Sequence, residues 1–210
     1  MIAVDGPAAS GKGTIARALA AHYGLPHMDT GMLYRAVALR LWRWGGDASN
    51  EFEALRACDE LGFDPSDEEL RSEPVSRIAS KVSSYSSVRD ALLERQRDFA
   101  GQEGGAVLDG RDIGTVIAPD ADAKLFVTAS PEVRAQRRYE ELKRLGLGVH
   151  FPDVLADIRA RDERDKGREA APLRPAEDAA LLDTSELDVE AAVAAAIALV
   201  ENRLEGSIHR

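Results

Sequence analysis

The stretch Gly6-Pro7-Ala8-Ala9-Ser10-Gly11-Lys12-Gly13-Thr14 follows directly on the apolar run Ile2-Ala3-Val4-Asp5. Gly6, Gly11 and Lys12 satisfy the spacing G-x-x-x-x-G-K. The apolar run reads as a buried strand. The Ala-rich segment from Lys12 to Tyr23 reads as a helix that Gly24 can stop. A glycine-rich turn between strand and helix lets backbone N–H groups converge on phosphate oxygens, and the helix dipole adds to their pull. Lys12 supplies a mobile ammonium for the outer phosphates. A glycine turn without a ligand is the alternative; the strand before, the helix after and the lysine in place argue for a phosphate-binding loop. The position after Lys12 is Gly13, and the hydroxyl comes one step later at Thr14. That order argues against most GTPases and motor ATPases.

Outward from this loop, Leu25 to Met28 reads as a second short strand, and Asp29 and Thr30 are cap-type residues. A helix over Met32 to Trp44 carries Leu33, Val37, Leu41 and Trp44 near the helical period and ends at Gly45-Gly46. Trp42 and Trp44 read as packing residues rather than a stacking platform. A helix is possible over 51–61, and the acidic run Asp64 to Glu69 reads as a solvated face or loop. Pro74 to Ser84 and Ser87 to Ala100 read as two helices. Gly105 to Asp109 and Ala123 to Thr128 read as buried strands. Ser130-Pro131-Glu132 is a helix start, with Ser as cap, Pro in the first turn and an acid beside it; that helix runs to Leu145. Pro152 to Lys166 is a charged helix, Ala180 to Asp183 a last strand, and Val189 to Leu204 a closing helix. Strands alternating with helices predict parallel βαβ units in a three-layer α/β sheet. Ligand loops then lie at the carboxyl ends of the strands, where Gly6 to Thr14, Asp29-Thr30 and Asp109 to Asp112 all fall.

Composition narrows the function classes. A chain of 210 residues with 44% hydrophobic content can bury one core carrying small insertions. The formal net charge of −10 makes a nucleic acid polymer an unexpected partner. No apolar run is long enough for a membrane, and Cys58 is the only cysteine, so the expectation is a cytoplasmic chain without a disulfide. His22, His27, His150 and His209 show no metal-ligand spacing and read as surface or packing residues. The lysines are Lys12, Lys81, Lys124, Lys143 and Lys166; the remaining basic residues are arginines, which grip phosphate in a planar fork. A GC-rich genome would also favour arginine.

Four further segments carry candidate chemistry. Asp29-Thr30-Gly31-Met32-Leu33-Tyr34-Arg35 puts a hydroxyl and free N–H groups at a helix start, with Tyr34 and Arg35 one turn in. Asp109-Gly110-Arg111-Asp112-Ile113-Gly114-Thr115 puts an Arg-Asp pair at a strand end. Arg111 could bind phosphate and Asp112 could accept from a base amino group; a buried salt bridge is the alternative. Ser80 and Arg89 lie in a Ser/Arg segment that says little alone. Arg161, Asp165 and Arg168 follow i, i+4, i+7 spacing on one helix face. A salt-bridged solvated helix is the plain alternative. Phosphoryl transfer raises the weight of the functional reading, because a transferring phosphoryl group needs several cations around it and a flap to exclude water.

The G-K-G-T ending of the loop resembles that of nucleoside monophosphate kinases. Gly6 to Thr14, Asp29 to Arg35, Val88-Arg89-Asp90-Ala91-Leu92-Leu93-Glu94-Arg95-Gln96-Arg97, Asp109 to Thr115 and Arg161 to Arg168 followed by Ala171-Pro172-Leu173, in this order, resemble the bacterial-type cytidylate kinase family over nearly the whole chain. The resemblance implies a P-loop kinase fold with a monophosphate-binding insertion and a short lid: core over 1–45, insertion over 46–100, core over 101–138, lid over 139–168 and core over 169–210. It implies transfer of the ATP γ-phosphoryl group to CMP, and to dCMP, with Mg²⁺. It places Gly6 to Thr14 on the ATP phosphates, and Lys12, Arg111 and Arg161 in catalysis. Thr30, Tyr34, Arg35, Arg111, Arg161 and Arg168 fall to the monophosphate and ribose, and Asp165 to the sugar. Ser80, Arg89 and Asp112 fall to cytosine. Many members carry a longer insertion before the Ser80 segment; here Gly62 to Ser76 is short and acidic.

The base assignment is physically sensible. A carboxylate accepts from the cytosine N4 amino group, and uracil would present a carbonyl there. A mispaired buried polar group costs about 1–3 kcal/mol. Direct in-line transfer needs no covalent intermediate, and Thr14 and Asp109, acting through water, are the candidates for the Mg²⁺ site. A monomer is expected. The rivals are another small P-loop kinase, for adenylate, uridylate, shikimate or gluconate, and a non-catalytic ATP-binding module.

Overall fold

The computed structural model describes residues 1–59 and 61–208; His209 and Glu60 lie outside them. Its elements alternate as expected: β1 (Ile2–Asp5), α1 (Lys12–Tyr23), β2 (His27–Asp29), α2 (Gly31–Arg43), α3 (Glu51–Arg56), α4 (Glu73–Val82), α5 (Ser86–Ala100), β3 (Val107–Gly110), β4 (Ala123–Thr128), α6 (Pro131–Arg144), α7 (Phe151–Gly167), β5 (Ala180–Asp183) and α8 (Val189–Ile208). The chain forms two compact units, one of residues 1–28 with 100–210 and one of residues 29–99. None of the described helices is long and apolar enough to cross a membrane.

The first unit is built on a sheet of order β2-β3-β1-β4-β5. The strand β1 lies between β3 and β4 and pairs in parallel with both, Val4 standing beside Asp109 and Leu125. All four of its residues are buried, which is why they read as an unbroken apolar run. Helices α1 and α8 cover one face: Ile15, Ala16 and Leu19 from α1 and Ala192, Ala196 and Val200 from α8 pack on Val4, Val107, Leu125 and Leu182. Ser130 caps α6, its hydroxyl accepting from the Val133 N–H at 3.3 Å. Helices α6 and α7 form a smaller cluster through Ala135, Leu142, Val154 and Ile158, which also takes in Ala8 of the glycine loop.

The strand expected over 105–109 begins at Val107, because Gly104 and Gly105 adopt left-handed φ values of 87° and 91° that a strand does not accommodate. After it comes an element the periodicity did not reveal, a single wide π turn over Ile113–Ile117.

In the second unit, α2 packs on α4 and α3. The acidic run is structured rather than merely solvated. Asp67 caps a 3₁₀ turn over Glu68–Arg71, and Asp67 and Glu69 hold Arg43 at 2.7 and 2.6 Å. The turn buries Leu70 completely. Trp42 and Trp44, expected to pack, are 54% and 41% exposed. They fall on the outer side of the last turn of α2, and Trp44 lies under the Arg56 guanidinium at 5.6 Å.

Leu125 fixes the middle of the sheet and is almost wholly buried. Leu125→Ala should cost about 2–5 kcal/mol of stability, read as a lower urea midpoint with an unchanged slope.

Candidate active site

The glycine loop owes its shape to close backbone contact. A Cβ on Gly6 would run into the Val127 carbonyl oxygen, so only glycine fits there. Ala9 and Gly11 take left-handed φ values of 58° and 91°, the alternation that gathers successive N–H groups on one side. The carbonyls that face away are held. Arg134 donates to the Ala8 oxygen at 3.3 Å, and Thr184 and Arg137 donate to the Ser10 oxygen at 3.0 and 3.4 Å. The Ser10 hydroxyl is buried and has no hydrogen-bond partner among the described residues. A ring of N–H donors with one unspent hydroxyl, opening α1, is a cradle for phosphate oxygens.

Lys12 leads out of this cradle and stands 3.6 Å from Asp109 at the end of β3. His27 bonds the other oxygen of that carboxylate at 2.7 Å. His27 is therefore neither a surface nor a simple packing residue; β2 delivers it beside β3. His22 faces Glu201 at the surface. Burial pushes the Asp109 carboxyl up, but the His27 hydrogen bond and the charges of Lys12, His27 and Arg111 outweigh it, so the group stays ionised below the ordinary range. Thr14 is exposed, and its hydroxyl accepts from Arg17 at 3.4 Å.

Of the arginines expected to act together, Arg111, Arg161 and Arg168 all act on Asp165, whereas Arg35 belongs to the second unit. Arg111 donates to Asp165 at 2.9 Å. Burial alone would raise the Asp165 carboxyl; the charges of Arg111, Arg161 and Arg168 and the Arg111 hydrogen bond bring it below the ordinary range. Asp165 is only 3% exposed, so α7 is not a solvated charged helix along this face. Asp112 is buried next to Arg111 and opens the π turn.

In the second unit, Asp29 accepts from the Gly31 N–H at 2.9 Å, shaping the start of α2 where Thr30 is buried. Arg89 is 8% exposed, with its guanidinium 5.5 Å above the Tyr34 ring and donating to the Ser83 carbonyl at 3.2 Å. Ser83 in turn donates to the Ser80 carbonyl at 3.1 Å. Ser80, Arg89 and Tyr34 thus form one neighbourhood. Arg35 donates to the Leu70 carbonyl at 2.8 Å.

Sequence reasoning passed over Asp5, His27, Arg134 and Arg137. Arg134 makes a buried two-pronged pair with Asp162, at 2.9 and 2.6 Å, joining α6 to α7 behind the glycine loop. The i, i+3 spacing of Arg134 and Arg137 after a marked helix start was the available signal. Asp5 and His27 gave none beyond their places at strand ends.

The cytidylate kinase family description matches residues 2–202. A cytidylate kinase of Xanthobacter autotrophicus is 59% identical over 208 residues, covering 98% of this chain and 99% of that protein. One from Methylocella silvestris is 58% identical, covering 96% and 94%, and one from Brucella ovis is 53% identical, covering 97% and 94%. The crystal structure of an uncharacterized protein from Eubacterium ventriosum matches the fold with a TM-score of 0.57 at 15% identity, over 96% of this chain and 97% of that one.

Burial raises the Asp5 carboxyl from 3.8 to about 7; the Gly114 and Ile113 N–H groups and Arg111 pull the other way, and the charge of Asp112 adds to the rise. The folded carboxyl therefore keeps its proton at pH values where the unfolded one has lost it. This group favours folding as pH falls from about 7 toward 3.8. The stability advantage of the parent over Asp5→Asn should grow on acidification across that window, by at most about 1.4 kcal/mol per pH unit. Urea unfolding of both proteins at several pH values checks this; a gap independent of pH contradicts it.

Proposed function

This chain belongs to the cytidylate kinase family, and from that premise we propose how its residues divide the transfer of the ATP γ-phosphoryl group to CMP. The glycine loop Gly6 to Thr14 holds the ATP phosphates through its N–H groups and the Ser10 hydroxyl, with Lys12 on the outer phosphates. Arg111, Arg161 and Arg168 hold the acceptor phosphate, and Asp165 serves both to space these guanidinium groups and to meet the sugar. Asp112 accepts from the cytosine amino group. Thr30, Tyr34, Arg35, Ser80 and Arg89 carry the remaining acceptor roles that the family resemblance implies.

An oxygen of the CMP phosphate attacks the γ-phosphorus in line, the bond to the β-phosphate oxygen breaks, and ADP leaves. The acceptor is already an anion, so there is little proton to move and the barrier is mainly one of charge and alignment. Lys12, Arg111 and Arg161 meet the charge that spreads over the transferring group. The single observation that carries this reading is the gathering of three arginine charges around buried Asp165.

Mg²⁺ fits the oxygen donors present. Asp109 is ionised, buried and beside Lys12, and Thr14 offers a hydroxyl one turn into α1. A magnesium ion takes few protein oxygens and completes its shell with phosphates and water. When bound it neutralises phosphate charge; Asp109 and Thr14 would hold it through water. We also propose dCMP as a second acceptor, a monomeric state and a cytoplasmic location. The relatives' names do not favour a uridylate or adenylate kinase, and a non-catalytic module would need none of the acceptor arginines.

Two measurements test the assignment. Lys12→Ala should lower kcat about a hundredfold or more with an unchanged circular dichroism spectrum; near-normal turnover removes its role. In an ADP-release assay against a panel of monophosphates, Asp112→Ala should lower the preference for CMP over UMP about tenfold. Equal losses on both would reject the base assignment.

A further inference from the structure

Asp5 ends β1 and immediately precedes the glycine loop, yet its side chain turns to a different segment. Its Oδ1 accepts from the Ile113 N–H at 2.7 Å and its Oδ2 from the Gly114 N–H at 2.8 Å. The carboxyl is 4% exposed. Both bonds are short, and both go to the opening of the Ile113–Ile117 turn. The first N–H groups of any helical turn lack partners within it and need an acceptor from outside. Usually the residue just before the turn supplies one. Here that residue is Asp112, whose side chain makes no capping bond. Its backbone carbonyl instead accepts from Val116 at 2.9 Å and Ile117 at 3.2 Å, widening the turn. The cap therefore comes from a carboxyl group 108 residues away in sequence, and Asp112 keeps its own side chain for other contacts.

We propose that Asp5 is a positioning residue of the acceptor site: it caps the 113–117 turn in place of Asp112, and thereby sets where Asp112 and Arg111 stand toward the nucleotide. The inference rests on the acceptor roles given above to Arg111 and Asp112. The charged groups facing Asp5 are Asp112 and Arg111 from the same loop, and the Lys124 chain from β4, which runs past Gly114. The Lys124 ammonium is committed to Asp178 at 2.9 Å and to the Pro119 carbonyl. No other described side chain is recorded as donating to this carboxylate. Its position also gives it reach in two directions: backbone into the ATP loop, side chain into the acceptor loop. An error in the turn would misplace the acceptor contacts and leave the phosphate cradle standing.

The test separates these two sides. Asp5→Asn should raise KM for CMP about tenfold or more and lower the CMP over UMP preference, while KM for ATP stays within about twofold. In nitrogen-15 correlation spectra, the Ile113 and Gly114 amide protons should lie downfield in the parent and move upfield in the variant. Should Asp5→Asn not fold, Gly114→Ala serves. A Cβ there would stand 3.1 Å from Lys124 Cδ, which must give way, and in contact with Asp5 Oδ2 at 3.4 Å; this added bulk at the capped amide should raise KM for CMP and spare ATP. Amide shifts in the parent with no downfield displacement would overturn the cap itself, leaving the acceptor roles intact. Amide shifts that move while CMP affinity and preference hold would overturn the positioning role; the acceptor assignment is decided separately by Asp112→Ala. Equal rises in both KM values, or a lower kcat alone in proportion to lost folded protein, would make Asp5 structural only.

Discussion

The glycine loop can present its N–H groups only while its carbonyls are held on the far side. That restraint comes from Arg134, Arg137 and Thr184, and none of the three is near the loop in sequence. Arg134 and Arg137 stand on α6, whose start is fixed by the Ser130 cap. Thr184 follows β5, and its backbone N–H donates to the Thr128 carbonyl at the end of β4 at 2.8 Å. Pairing of β1, β4 and β5 therefore brings the restraint to the loop. Apolar burial in the sheet is converted, through a few hydrogen bonds, into the direction of the donors. Gly6 completes the arrangement by letting the loop touch the Val127 carbonyl.

Much of this was legible in the amino-acid order. Short, mainly apolar runs marked β1, β4 and β5; β1 and most of β4 are buried, whereas β5 is an edge strand with Leu181 exposed. The Ser130-Pro131 signature marked α6 because capping is local chemistry. The illegible parts are those set by distant partners. A π turn over Ile113–Ile117 has no periodic signature, and its cap comes from β1. His27 looked incidental because its partner Asp109 lies 82 residues on. The acidic run 64–69 is largely solvated, as expected; what the order of residues hid is its pairing with Arg43 on another helix. Trp42 and Trp44 lie at the end of a stretch with sound apolar periodicity, yet both are more than a third exposed, with the Arg56 guanidinium over the Trp44 ring.

Three buried carboxylates of the first unit each meet a basic side chain. Asp162 meets Arg134 in a two-pronged pair, Asp165 meets Arg111, and Asp109 meets His27 and Lys12. Such pairs add little net stability, since desolvation offsets most of their attraction. What they contribute is fixed geometry. Arg134 is the clearest case: one guanidinium holds the carbonyls of Ala8 and Ala129 and the carboxylate of Asp162 at once. The glycine loop, the β4 terminus and the arginine-bearing helix α7 share that single side chain as a common anchor.

The Asp165 cluster has a consequence for recognition. Arg111, Arg161 and Arg168 all act on one buried carboxylate. Cations held close together repel one another, so an anion that reaches them relieves that repulsion as well as adding its own attraction. A phosphate monoester near neutrality carries close to two negative charges. On the proposed reading, the monoester is then favoured over a diester, with half that charge, by electrostatics alone.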